Sequence, residues 1–456
     1  MFRSVRTPNG RVCRCGHAHW EIKIKSTRII SDRQRRLLKE GGWVVLGQIA
    51  MMLGSLAMVR LLTELLSHDA YGELALGMTI ASLANQMVLG PLGGGINRFY
   101  AIAVEKGELG GYLRAVTKLI WYTTAIIIVF AVAATFGLAI FGMNHWISIC
   151  VSSLVFATLS GNNSNLIGIQ TAARRRDIVA ILQGVEPFLR MIVFFLLTAR
   201  LGTNGSVVMI AFALSALFLL VIQAFFLKKM IKGAQNSQYK KEWTAAIWRF
   251  SWPMGVFGIF TWFQMASDRW ALQFFASTSE IGRYTVVYQL GYYPISFMTG
   301  VAMQFVVPIL YQRAGDVKDG GRNAGVDNIS WRMIWLSLAV TGCTFLAATL
   351  WHGPIFRILV AEEYRDVSYL MPWMIISGGL FSSGQMLAAN LQAQLKTREM
   401  IVAKIATALS GLAMNLVGAY LNGITGVIFA GISYSIMYFF WMTMLVTKMS
   451  RNKCFP

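Results

Sequence analysis

Charge is what this sequence has least of. Asp, Glu, Lys and Arg make up 13% of its 456 residues, where soluble domains carry about a quarter, and that deficit excludes an ordinary soluble fold. Acidic residues are the rarer sign, 20 against 41 basic, and they form no cluster of the kind that holds divalent metal and phosphate. Beyond the first 40 residues histidine occurs only at 68, 145 and 352. There is no HExxH, and no GxxxxGK[ST] loop for a nucleotide. No catalytic residue, metal-ligand set or cofactor is therefore assigned. The five cysteines, Cys13, Cys15, Cys150, Cys343 and Cys454, are too few and too scattered for a disulfide framework. No apolar stretch precedes residue 41, so no cleavable signal peptide is expected.

What is there is apolar. Hydrophobic residues reach 56%, and runs of the roughly 20 residues needed to cross a bilayer recur from Gly41 to the C-terminus. The pattern predicts twelve helices: 41–63, 72–96, 118–141, 146–170, 178–199, 205–227, 247–267, 284–310, 332–351, 368–394, 400–421 and 425–447. No soluble domain is left over. The fold class is all-α and integral to a membrane, with a tail (1–40), a first lobe (41–228), a linker (229–246), a second lobe (247–447) and a short tail (448–456).

A net charge of +21 would point to nucleic acid in a soluble protein. Here the basic residues sit in every second loop, at 98–118, 174–176, 228–241, 313–332 and 396–404, and in both tails. The charge thus reports topology, places both termini in the cytoplasm by the positive-inside rule, and implies no nucleic-acid partner. The first 40 residues hold eleven Lys or Arg. Their CRCGHAH run offers thiolate and imidazole, the usual zinc ligands, but its spacing matches no common finger. A solvated basic tail is the plain alternative.

The chain repeats itself. RLLTELLSHDAYGEL from Arg60 aligns with RWALQFFASTSEIGRY from Arg269 after one extra residue, so that Gly72 meets Gly282. IQTAARRRD from Ile169 aligns with LQAQLKTRE from Leu391, matching Gln170 to Gln392 and Asp177 to Glu399. Both matches join helices of one orientation, which predicts parallel repeats of six helices each.

An ionised side chain inside hydrocarbon costs at least about 2.5 kcal/mol and is normally hidden in a bundle or a wet cavity. Glu186 lies nine residues beyond Asp177, about 13 Å along a helix and hence near the bilayer centre. Arg190 follows at i+4 on the same face, Gln183 lies one turn before, and Pro187 interrupts the backbone between them. This polar spot is the best site candidate, for an anionic substrate at Arg190 and a proton or cation at Glu186. The alternative is a pair that only neutralises itself. Arg60, Arg98 and Asp268-Arg269 close the first, second and seventh predicted helices. Snorkelling to the headgroups explains them as well as a gate does.

Thirteen Asn and Gln side chains also fall inside apolar helices, among them Asn85, Gln86, Asn162, Gln289, Gln304 and Asn415. They fit either interhelical bonding or a hydrated path for a sugar-rich solute, where Asn85, Gln86 and Gln289 are candidate contacts. Trp262, Tyr288, Tyr292 and Tyr293 fit sugar stacking or an interface belt. GPLGGG at residues 90–95 and Tyr293-Pro294 mark bendable or closely packed helices.

The segment LLTELLSHDAYGELALGMTIASLANQMVLGPLGGGINRFYAIAVEKGE, the DRW at Asp268 to Trp270 followed by EIGRYTVVYQ, and the IQTAARRRD exit of the fourth helix resemble the polysaccharide transporters of the MOP flippase superfamily, the O-antigen flippase type. The similarity runs over residues 36–447. It implies a two-lobed, V-shaped, MATE-like carrier in the bacterial inner membrane. Such a carrier would move an undecaprenyl-pyrophosphate-linked oligosaccharide to the outer leaflet for O-antigen or exopolysaccharide synthesis, coupled to a proton or sodium gradient. It would work alongside a polymerase or chain-length machinery. The family's positive cavity would correspond here to Arg190. A cation-coupled multidrug antiporter of the same architecture is the first rival, although it should show more acids than Glu186. An integral membrane glycan-processing enzyme lacks catalytic acids, and a mere scaffold leaves the midplane charges without purpose.

Overall fold

The computed structural model describes residues 18–234, 239–314, 320–394 and 397–451, and among them every regular element is helical. The helices are α1 (Ala18–Leu65), α2 (His68–Glu105), α3 (Leu109–Ile140), α4 (His145–Ala172), α5 (Arg176–Leu201), α6 (Gly205–Gly233), α7 (Lys241–Phe275), α8 (278–314), α9 (Gly320–Leu359) and α10 (Met371–Ala393). A last stretch, Thr397–Arg451, breaks at Asn422 and at Gly423 (φ 53°) into α11 (397–421) and α12 (424–451). Twelve segments result, as the hydrophobic pattern predicts. By length and mean hydropathy, eight spans among the described residues qualify as membrane-crossing. The helices that fall short, α4, α7 and α10, carry many of the chain's amides and the Asp268-Arg269 pair.

Several helices start before their apolar runs: α1 at Ala18, α3 at Leu109, α7 at Lys241 and α9 at Gly320. Lys, Arg and Glu are good helix formers, so the backbone ladder continues outside any apolar layer. The stretches 268–283 and 352–367, which lie between predicted helices, are largely helical. A two-residue turn separates α7 from α8, and a 3₁₀ element, Glu362–Leu370, precedes α10. Residues 13–17 of the CRCGHAH run, the side chains of Ala18 and His19, and the side chain of Gln304 lie outside the described residues.

The aligned repeat is built twice. Ser67 caps α2 by accepting from the Ala70 amide at 3.3 Å, and Ser277 caps α8 by accepting from the Glu280 amide at 3.2 Å. Each of these helices then contains a π-helical turn, Asn85–Leu89 and Tyr288–Tyr292, just before or overlapping the register disturbed by Pro91 and Pro294. A proline ring displaces the carbonyl four residues earlier and donates nothing to it, so the ladder widens there. Helices α1–α6 pack into one lobe and α7–α12 into the other, and the lobes meet where α2 lies against α7 and α8.

The two ends of the bundle differ. At the end holding residues 60–72 and 270–283, one buried apolar cluster crosses both lobes and includes Leu62, Tyr71, Leu272, Val286, Val360 and Tyr364. At the opposite, basic end the core is split. Leu92, Tyr112 and Ile247 belong to one cluster, and Ile334, Leu387 and Tyr438 to another.

Candidate functional site

The midplane pair forms as its spacing predicts. Arg190 donates to the Glu186 carboxylate one turn away, and the two side chains keep 24% and 21% of their exposure. The guanidinium lies between two aromatic faces, 5.3 Å from the ring of Phe156 on α4 and 5.2 Å from that of Phe212 on α6. Cation–π contact and the ion pair hold it in one orientation, with part of its surface open. Tyr293 of α8, itself exposed, stands in the other lobe within electrostatic range of both charges. Pro187 leaves the Gln183 carbonyl without its helical donor. The Gln183 side chain ties α5 to α1 instead, accepting from Gln48 at 3.4 Å.

Asp268 and Arg269 are not at a helix end. They lie seven and six residues inside the C-terminus of α7 and are 9% and 8% exposed, buried in the bundle where the sequence left a headgroup position and a gate as alternatives. Asp268 accepts from the Tyr284 hydroxyl at 2.6 Å and from Arg269 at 3.2 Å. The Arg269 guanidinium also donates to the Met265 carbonyl at 3.2 Å and lies 4.4 Å from the ring of Tyr288. Tyr292 stacks on Tyr288 at 4.7 Å. The sequence signal was available: Tyr284, Tyr288 and Tyr292 recur every fourth residue, on one helical face.

Around this network the lobes are joined. Tyr71 donates to Gln289 at 2.7 Å, and Trp262 and Trp270 donate to the Thr79 carbonyl and hydroxyl at 2.7 and 2.9 Å. Arg60 pairs with Glu64 and donates to the Val360 carbonyl. Tyr364 donates to the Leu66 carbonyl at 3.1 Å. Of the residues singled out from the sequence, Gln289 and Arg60 thus act as ties across the sealed end. Asn85 and Arg98 are exposed on α2, and Gln86 makes only a 3.8 Å contact with the Met265 sulfur.

The seal does not extend all round. Pseudo-symmetry pairs the α2–α7 seam with an α1–α8 seam. Among the described residues only the first continues past mid-helix, where Gly255 and Gly258 lie against the Met87 and Gln86 carbonyls, to the basic end, where Gly95 lies against Ile247 and Ser251. There the α2–α3 loop also clamps α7, because Glu108 pairs with Lys240 and accepts from the Trp243 indole at 3.0 Å. No hydrogen bond or ion pair joins α1 to α8 among the described residues, and Leu46, Leu53, Met298 and Phe305 on them are exposed. Beside α8, a cavity of about 340 Å³ is lined by Ser296 and Thr299 and, from α10, by Ser382, Gln385 and Gln392.

The Lys240 ammonium holds the Glu108 carboxyl below its ordinary value of 4.5. A depressed folded-state pKa stabilises fully above the unfolded value and loses that contribution as the pH falls through the folded one. Acidification below pH 4.5 should therefore loosen this clamp. Glu108→Gln should remove that part of the acid dependence of thermal stability, by the small amount expected of a partly exposed pair. An unchanged acid limb in the variant would show that the clamp contributes nothing.

Two six-helix repeats, joined at one end and split at the other around half-buried charges, make up the fold of a multi-pass membrane transporter. The chain belongs to the family of polysaccharide biosynthesis proteins, whose model matches residues 37–313, more than half of its length. No curated protein matches the sequence significantly. Among solved structures, it is similar to the lipid II flippase MurJ in an inward closed conformation, with 12% identity, 91% of each chain covered and a TM-score of 0.66. It is also similar to a multidrug resistance MATE family transporter of the MOP superfamily. The inward-facing form gives 13% identity and a TM-score of 0.62, and the outward-facing form 14% and 0.57, each covering 90% of this chain and 96% of the other. At such identities the likeness is one of fold.

Proposed function

We propose that the protein is a flippase for a lipid-linked, anionic oligosaccharide used in surface polysaccharide synthesis, of the undecaprenyl-pyrophosphate type, in the bacterial inner membrane. The observation that carries this reading is Arg190. It is a guanidinium fixed between Phe156 and Phe212 near the middle of the fold, with part of its surface still open. Arginine presents a planar fork that matches phosphate oxygens, and a midplane charge in a carrier is by default functional. The amide-rich face of α10 suits sugar hydroxyls, and the unjoined α1–α8 side leaves a lateral way in for a lipid tail. The basic end is taken as cytoplasmic, so the sealed end faces outward. The higher score against the inward-facing MATE form supports that assignment. Transport proceeds by rocking of the lobes, driven by a proton or sodium gradient, with Glu186 as the acid that couples to it. A polymerase accepts the product outside.

Deleting the gene in its host tests this reading. The expected result is loss of surface polysaccharide, with lipid-linked repeat units trapped in the cytoplasmic leaflet. Normal glycan together with new drug sensitivity would favour a multidrug antiporter instead. Arg190→Ala should fail to restore the glycan, at least tenfold below wild type, on the basis that a charged hydrogen bond contributes about 1.5–3 kcal/mol, while folded protein persists in the membrane. Full restoration would make the pair structural.

A further inference from the structure

A second concave site lies on the outside of the bundle, on the closed side. It is a cavity of about 930 Å³ where α3 of the first lobe meets α7 of the second at the basic end. Its chemistry is graded along the bilayer normal. At the basic end stand Lys118, Lys241 and Tyr239; deeper lie Ile126, Val129 and Trp248. Lys118 to Val129 spans about 16 Å of helix, the reach from headgroup level well into the acyl region.

The polar end is organised. The Lys118 ammonium sits 4.6 Å from the Tyr239 ring and 5.5 Å from that of Tyr122. The Tyr239 hydroxyl shares a 3.0 Å hydrogen bond with Thr244. No acidic residue lines the cavity, and among the described residues neither Lys118 nor Lys241 has a carboxylate partner. Nearby acids are engaged or directed elsewhere: Glu108 is held by Lys240, and Glu242 is exposed outside the cavity. Two uncompensated ammoniums above an apolar trough complement a phosphate carrying acyl chains.

We infer that this seam binds an anionic phospholipid of the surrounding leaflet, its phosphate on Lys118 and Lys241 and one acyl chain along Ile126, Val129 and Trp248. The transported lipid is not the occupant argued for, because the groove is on the closed α2–α7 side, away from the unjoined α1–α8 side. A lipid that touches both lobes binds best while α3 and α7 are adjacent, so it shifts the population toward the conformation described here. The inference does not depend on what the carrier transports.

Native mass spectrometry of the purified full chain tests it, with dioleoyl phosphatidylglycerol as the probe and dioleoyl phosphatidylcholine as the control. Each lysine near an anionic surface is worth about fivefold in binding, so Lys118→Gln/Lys241→Gln should weaken retention of phosphatidylglycerol about 25-fold. Phosphatidylcholine should be unaffected. Ile126→Trp, which fills the trough and spares the charges, should also displace phosphatidylglycerol. It carries the test if the double variant does not fold. Equal retention of both lipids by wild type, or undiminished phosphatidylglycerol binding in both variants, would overturn the inference. Retention of a lipid-linked pyrophosphate in place of phosphatidylglycerol would assign the groove to the cargo and overturn it too.

Discussion

Replacing Arg269 with alanine is expected to lower the stability of the folded protein by about 3–5 kcal/mol, the cost of removing one partner from a buried ion pair. Asp268 would remain 9% exposed with only Tyr284 and the Arg269 amide to satisfy it. The stacked face of Tyr288 would lose its cation. Heating the detergent-solubilised protein and following its monodisperse fraction should show a melting point lower by about 5 °C or more. Asp268→Asn/Arg269→Leu should recover most of the loss, because neutral replacement of both partners leaves no orphaned charge. An Arg269→Ala variant that melts with wild type would mean the pair is hydrated rather than buried.

The next largest effect should come from Gly72. A Cβ built there would lie 1.9 Å from the Thr278 carbonyl oxygen, and one at Gly282 would lie 2.2 Å from that of His68. Thr278 and His68 are each the first residue of the opposing helix, so the contact is reciprocal, as at a two-fold interface. Both obstacles are backbone and cannot rotate away. Gly72→Ala should therefore force the starts of α2 and α8 apart, at an overpacking cost of about 1–3 kcal/mol. Amide exchange should accelerate in the first turns of both helices and not in α3. Gly72→Ala/Gly282→Ala should cost less than the sum of the single changes, since one separation relieves both clashes. Unaltered exchange in α2 and α8 would remove the glycine pair from the seal.

Much of this architecture was legible in the residues. Apolar runs of bilayer length mark out the helical segments of a multi-pass chain, because lipid solvation acts on each segment separately. The SHDAYG and STSEIG echo marked the repeat; the serine cap that opens each copy is local chemistry within it, seen in the structure. The i, i+4 spacing of Glu186 and Arg190 sufficed to place them on one face.

Other features needed the packed helices. A charge near the end of an apolar run reads the same whether it reaches out to headgroups or turns inward. Asp268 and Arg269 turned inward because α7 continues to Phe275 and α8 brings Tyr284 and Tyr288 over them. Residues 210 positions apart in sequence, Gly72 and Gly282, were recognisably equivalent, yet nothing local says that equivalent positions touch. That contact, the joined α2–α7 seam and the unjoined α1–α8 side are properties of how two similar lobes dock. The sequence by itself determined the segments, the repeat and the pairing of Glu186 with Arg190, all of them local or periodic; the tertiary structure alone decided which ends meet, which charges are buried and which side stays open.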